Sequence, residues 1–210
     1  MATDAAAIRA MFGTIATDVE ANKGELCRLD GVIGDADHGI AMSLGFAAAR
    51  DAAAALPDDA EPTAILNAAA KAFLNAVGAS CGPLYATALM RAGAAVKGKT
   101  TLEDADVVAM VAAMAAGIRD RGKAELGNKT MYDAWAPAAQ AATDAASAGA
   151  GLAQAMQAAE DAARKGAEAT KDMVASKGRA ERLGERARGH VDPGAASAVV
   201  VIEAMRRALA

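Results

Sequence analysis

What most constrains the fold is a helical apolar pattern carried largely by alanine. It runs along nearly the whole chain and breaks only at junctions rich in glycine, proline and charge. Alanine is the best helix former and is small enough to let helices approach closely. No segment shows the alternation and β-branched enrichment of a strand. Eight helices are predicted: Thr3 to Lys23, Asp37 to Leu56, Pro62 to near Gly78, Pro83 to before Gly98, a fifth opening with Thr101 and Asp104 and ending near Arg121, Thr130 to Ser147, Leu152 to Ala175, and Pro193 to Ala210. Pro62 and Pro193 suit a first helical turn, and Asp37 and Asp192 suit N-caps. The expected fold class is all-α, with residues 1–210 as a single domain: at 54% hydrophobic residues the chain can bury a sizeable core.

The connections fall into two kinds. "LPDDAEP", "GKTT" and "AGAG" are plain. "GELCRLDGVIGDAD", "GASCG", "RGKAELGNKT" and "SKGRAERLGERARGHVD" combine glycine with polar or charged residues. The second kind follows helices one, three, five and seven. Short connections make neighbouring helices antiparallel, so the four unusual loops should meet at one end of the bundle. Binding residues gather in this way on loops held by a rigid scaffold.

In the first of these loops Asp30, Asp35 and Asp37 crowd together among small and apolar residues, unlike a solvated acidic face. Carboxylates so placed suit a hard cation such as magnesium, which takes one or two carboxylates plus water and substrate phosphate. Three carboxylates imply two ions shared with a polyphosphate. The alternative is that Asp37 only caps helix two while Asp30 and Asp35 make turns. His38 and Gly39 open that helix, whose amide end suits phosphate; His38 can touch phosphate, bond an aspartate, or be an ordinary capping-region histidine. Small residues before Pro83 let a ligand approach the backbone. Cys81 has no basic neighbour in sequence and reads as packing. Gly122, Lys123, Lys129 and Thr130 can sit near phosphate, and Met131 can pack on a base or in the core. Trp135 is expected in the core. Lys177, Arg179, Arg182, Arg186 and Arg188, hinged by Gly178, Gly184 and Gly189, read as a lid over an anionic ligand. Asp192 should cap the last helix, with Pro193 and Gly194 following, and can also orient a ribose or base.

Composition excludes other classes. The net charge is −4, and no basic cluster is interleaved with aromatics, which argues against nucleic acid and anionic membrane surfaces. Cys27 and Cys81 lack CxxC spacing and read as reduced thiols of a cytoplasmic protein. There is no secretory signal and no uncharged run of membrane-spanning length.

Together, "IGDADHG", "GASCGPLY", "RGKAELGNKTMYDAWAP" and "KGRAERLGERARGHVDPGA" resemble, in order and spacing, the nucleotide-binding L subunit of dihydroxyacetone kinase, from one end of the chain to the other. The resemblance implies a closed barrel of eight amphipathic antiparallel helices with ADP or ATP at one end. It implies two Mg2+ ions on Asp30, Asp35 and Asp37. Nucleotide contacts are implied at His38, Gly39, Ser80, Cys81, Gly122, Met131, Arg179, Asp192, Pro193 and Gly194. Arg179 and His38 are the candidates for catalysis. The implied activity is that of a phosphoenolpyruvate–glycerone phosphotransferase of glycerol metabolism. In it a phosphotransferase-system M subunit recharges retained ADP, and the γ-phosphoryl passes to dihydroxyacetone held on a K subunit. A homodimer is left open. The alternatives are the nucleotide subunit of an ATP-dependent kinase of dihydroxyacetone or another short ketose, and a non-catalytic ADP-binding regulator. Three departures bear on affinity and substrate choice: Ala41 stands where the family usually has asparagine, Cys81 where serine is usual, and Asn128 where an acid is usual.

Overall fold

In the computed structural model, residues 3–78 and 81–210 are described. Among them are eight α-helices: α1 (Ala5–Ile33), α2 (His38–Ala54), α3 (Pro62–Val77), α4 (Cys81–Ala95), α5 (Asp104–Gly122), α6 (Tyr132–Ser147), α7 (Leu152–Ala169) and α8 (Pro193–Leu209). Each helix packs on the next in sequence, and α8 returns to pack on α1, so the bundle closes into a ring. Arg207 of α8 forms an ion pair with Asp18 of α1 across that closure. Arg206 of α8 reaches Glu160 of α7 at 2.5 Å.

The core is built mainly of alanine and medium aliphatic residues, so the helices approach closely. Four of the larger groups form an aromatic cluster. Phe46, Phe73, Tyr85 and Trp135, from α2, α3, α4 and α6, meet edge-on or tilted with centroids 5.0–6.4 Å apart. Trp135 is fully buried, as expected.

Four expectations about element ends are corrected. Helix α1 does not stop at Lys23 but continues to Ile33. Gly24 and Gly31 look like helix breakers, yet Leu26, Asp30 and Ile33 are buried along one face; packing outweighs the roughly 1 kcal/mol that each glycine costs. Helix α4 starts at Cys81 rather than Pro83, since proline is tolerated within a first turn. Helix α5 is capped by Glu103, which forms a capping box with Asp106, not by Thr101. Helix α7 ends at Ala169, and short 3-10 segments follow at Thr170–Asp172 and Arg179–Ala187. One strand pair was not expected: β1 (Thr3–Asp4) pairs antiparallel with β2 (Thr101–Leu102). Two-residue strands are too short to leave an alternating pattern.

Up–down alternation around the ring is visible in contacts at the plain end. Arg9, early in α1, donates to the Ala53 carbonyl late in α2. Thr63, at the start of α3, donates to the Gly93 carbonyl late in α4. The Leu152 amide, opening α7, donates to Asp104, opening α5. The even-numbered helices therefore begin at the opposite end, where their positive dipole ends and free amides collect.

Candidate functional site

That opposite end contains a cavity. Its lining comes from the last turn of α1, the starts of α2, α4 and α8, the end of α5, the segment before α6 and the loop after α7. The odd-numbered connections therefore do converge.

Asp30 sits in the last turn of α1 and is buried. Its Oδ2 accepts the Asp37 amide at 3.0 Å and the His38 amide at 3.1 Å. Asp30 thus caps α2 from a neighbouring helix. Asp37 occupies the N-cap position of α2, but its side chain makes no capping bond. It is left free and exposed beside Asp35, across a turn that places Ala36 at φ +64°. One oxygen from each of Asp30, Asp35 and Asp37 lies within 4.8 Å of the others. An all-oxygen set of this spacing fits a hard divalent cation. A cationic group already faces it: Arg179 pairs with Asp35 and stands 3.8 Å from Asp37.

His38 lines the cavity, but its ring turns toward α8. Nε2 lies 2.8 Å from Ser197 Oγ, and that hydroxyl donates to the Gly194 carbonyl at 2.9 Å. The Ser197 proton being committed, Nε2 must be the donor, and Nδ1 keeps the lone pair. Burial holds the imidazole below its ordinary pKa, against the opposing charge of Asp30. A neutral ring tied to α8 can orient the start of α2 but offers no cation to phosphate.

Gly39 does not line the cavity. A Cβ there would run into the Lys23 carbonyl and Cys27 Sγ, so glycine is needed where α2 crosses α1. Ser80 lies outside the described residues. Cys81 is buried at the start of α4 and lines the cavity. Burial, reinforced by the charges of Asp37 and Asp30, pushes its thiol up to about 12, which fits packing rather than nucleophilic chemistry. Gly122 and Met131 both line the cavity, and Met131 is also packed on the core. Leu84 and Ile118 complete an apolar wall. Sequence reading missed them because an apolar residue lining a pocket looks like any core residue.

At the start of α8, Asp192 accepts the Ala195 amide at 2.8 Å, the expected cap. Burial raises its carboxyl to about 7, the Ala195 bond opposing. Gly194 lies so close to Asp192 and Met131 that a Cβ would approach an Asp192 oxygen to 3.0 Å. Two departures from the family pattern are mild here. Asn128 Oδ1 accepts the Glu125 amide at 2.9 Å, a bond an aspartate would also make. Ala41 is half-buried against the core. Lys129 does line the cavity, with its side chain almost fully buried. Lys177, Gly178 and Arg179 of the basic loop do line the cavity. Below them Ala175, Ala180, Leu183 and Ala187 form a small apolar cluster with Ile33. The loop thus docks on the end of α1.

Compared with known proteins, residues 32–207 match the DAK2 domain. The chain is 38% identical to the PEP-dependent dihydroxyacetone kinase 2, ADP-binding subunit DhaL, of Listeria innocua, covering 95% of this chain and 96% of that protein. It is 36% identical to the corresponding ADP-binding subunit of Escherichia coli, covering 85% and 84%. It is also 32% identical to the L-erythrulose kinase of Pectobacterium atrosepticum, covering 91% of this chain but only 32% of that protein. The fold is similar to the crystal structure of the dihydroxyacetone kinase from C. freundii in complex with AMP-PNP and Mg2+. The TM-score is 0.73 at 23% identity, over 96% of this chain and 34% of that one. The chain thus spans about a third of these longer kinases. On the match over residues 32–207 and the near full-length identity to the curated subunits, the chain belongs to the DAK2 domain family, among the ADP-binding subunits of dihydroxyacetone kinases.

Proposed function

We propose that the chain is the nucleotide-carrying subunit of a phosphoenolpyruvate-dependent dihydroxyacetone kinase, with residues 1–210 as one nucleotide-binding domain. The observation that carries this reading is the convergence of Asp30, Asp35 and Asp37 within 4.8 Å at a cavity faced by Arg179 and by the start of α8. The all-oxygen donor set fits magnesium, and the ring of helix starts fits a polyphosphate. Asp30, Asp35 and Asp37 would hold two Mg2+ ions. When bound, these would neutralise the phosphate oxygens of ADP or ATP and leave the γ-phosphorus open to an incoming hydroxyl.

The protein's own groups divide the remaining work. Asp30 fixes the start of α2 through two amides, and His38 ties it to α8. Arg179 moves from the carboxylates to the phosphate oxygens as charge spreads during transfer. Leu84, Ile118 and Met131 cover the base and exclude water. Gly122, Cys81 and Gly194 keep the walls thin, with Ser80 beside Cys81 in the chain. The γ-phosphoryl passes to a hydroxyl of dihydroxyacetone presented by a K subunit, and ADP stays behind to be recharged by an M subunit. The setting is cytoplasmic.

Calorimetry with ADP and Mg2+ tests the site, and reconstitution with K and M subunits tests the reaction. ADP retained through purification and recharged in place marks the coenzyme reading; ADP that exchanges freely with added ATP marks the ATP-dependent one. The L-erythrulose kinase relative favours running the same assay with a tetrulose as acceptor. Tight Mg–ADP binding without transfer to any ketose would make the chain a regulator instead.

A further inference from the structure

We propose that Lys129 is a positioning residue: its buried ammonium clasps both ends of the basic loop and so holds Arg179 over the carboxylates. Lys129 is only 1% exposed and sits in the left-handed region at φ +61°. Its Nζ donates to the Thr170 carbonyl and to the His190 carbonyl, both at 2.5 Å. Those carbonyls stand at the two ends of the loop that carries Arg179. Two further bonds close the same neck: Gly189 N to the Lys171 carbonyl at 2.8 Å, and Asp192 N to Thr170 Oγ1 at 2.9 Å. The Ser176 amide also bonds the Asn128 carbonyl at 3.2 Å, one residue before Lys129.

A lone buried ammonium is costly. Burial holds this one below its ordinary pKa, against the opposing charges of Asp192, Asp133 and Asp172, and two carbonyls accept its protons. Its backbone is fixed as well, because Asp133 accepts the Gly127 amide at 2.6 Å and the Thr130 amide at 2.8 Å. A compact ammonium can meet two carbonyls that converge on one point, whereas a wide guanidinium cannot do so without parting them. Thr130 and Met131, the next residues, line the cavity wall. One side chain therefore links that wall to the neck of the loop. Pinning the ends of a flexible loop shrinks the set of conformations it can explore. Above the neck, the loop is held by the small cluster around Ala180, Leu183 and Ala187 and by Arg179 against Asp35 and Asp37.

The clasp stands on geometry alone, and its role toward Arg179 rests on the nucleotide reading above. Hydrogen exchange on the nucleotide-free chain tests the clasp. The Gly189 and Asp192 amides should exchange at least tenfold more slowly than amides of residues 179–187. Equal rates would overturn it. In Lys129→Met, helix content should persist while the neck amides rise to the rate of the loop. If that variant does not fold, Lys129→Arg, which keeps the charge but cannot meet both carbonyls without parting them, takes its place. For the positioning role, Mg–ADP is titrated into Lys129→Met (or its substitute), Arg179→Ala and the double variant. The first should weaken binding about tenfold, and the double variant should bind no worse than Arg179→Ala alone. Additive losses would show that Lys129 does not act through Arg179. A wild-type chain that fails to bind Mg–ADP would remove the nucleotide reading and with it the positioning role, leaving the clasp to stand or fall on the exchange data.

Discussion

Asp30, Asp35 and Asp37 lie within eight residues of chain yet take different tasks. Asp30 is buried and gives one oxygen to two amides, whereas Asp35 and Asp37 stay exposed with Arg179 against them. Asp37→Ala should therefore lower Mg–ADP affinity at least 100-fold in calorimetry while the thermal midpoint hardly moves, because Asp37 caps nothing. An unchanged affinity would return the cluster to a turn-and-cap role. Asp30→Ala should also lower stability, by about 1–2 kcal/mol, through the two orphaned amides. Cys81 offers a contrasting test. With its thiol pushed up to about 12 by burial, iodoacetamide at pH 8 should label it far more slowly than a free cysteine. Fast labelling would count against packing as its role.

Between elements, the closest junction is that of α1 and α2. Gly39 lies against the Lys23 carbonyl, and Glu20 of α1 accepts from Ser43 of α2 nearby. Gly39→Ala should destabilise the fold by about 2 kcal/mol or more, since overpacking against backbone exceeds any gain in helix propensity. Urea denaturation checks this, and a stabilised variant would mean that the junction has room. The basic loop is the opposite kind of element. It is mostly polar, with a kink at Gly184, and is docked through few apolar groups. Trypsin should cut between Gly178 and Gly189 quickly without ligand and at least tenfold more slowly with Mg–ADP. Equal rates would mean that the segment does not close over the site.

At the scale of the whole molecule, the closed ring makes the end of one helix the neighbour of the start of another. That is how Asp192, capping α8, comes to be buried beside the cavity. With its folded pKa raised from 3.8 to about 7, the folded chain binds a proton that the unfolded chain releases. The resulting stabilisation is full below the unfolded value and is lost as pH rises through about 7. Between pH 5 and 8 the wild type should lose about 2–3 kcal/mol relative to Asp192→Asn. Thermal denaturation at the two pH values reads this difference, and parallel losses would show that Asp192 is charged throughout. The ring also offers one described cavity with this chemistry, so the chain by itself should not phosphorylate dihydroxyacetone. A coupled assay for triose phosphate should stay at background until a K-type subunit is added. Turnover without it would mean that the chain binds the ketose itself.

Much of this was legible before any coordinates. Helical period fixed the element type, and alternating loop chemistry fixed which connections share an end, because antiparallel order leaves no other arrangement. The cap at Asp192, the buried Trp135 and the acidic cluster follow from local chemistry. Tertiary structure decided what depends on contacts far apart in sequence. It carried α1 past two glycines to Ile33, moving Asp30 from loop to helix, because burial there outweighs local propensity. It turned His38 toward Ser197, 159 residues away. It tied the Lys129 ammonium, at the cavity wall, into a neck formed by Thr170 and His190. A histidine or lysine carries the same charge and reach wherever the chain places it, and only the closed ring determines which partner stands within that reach.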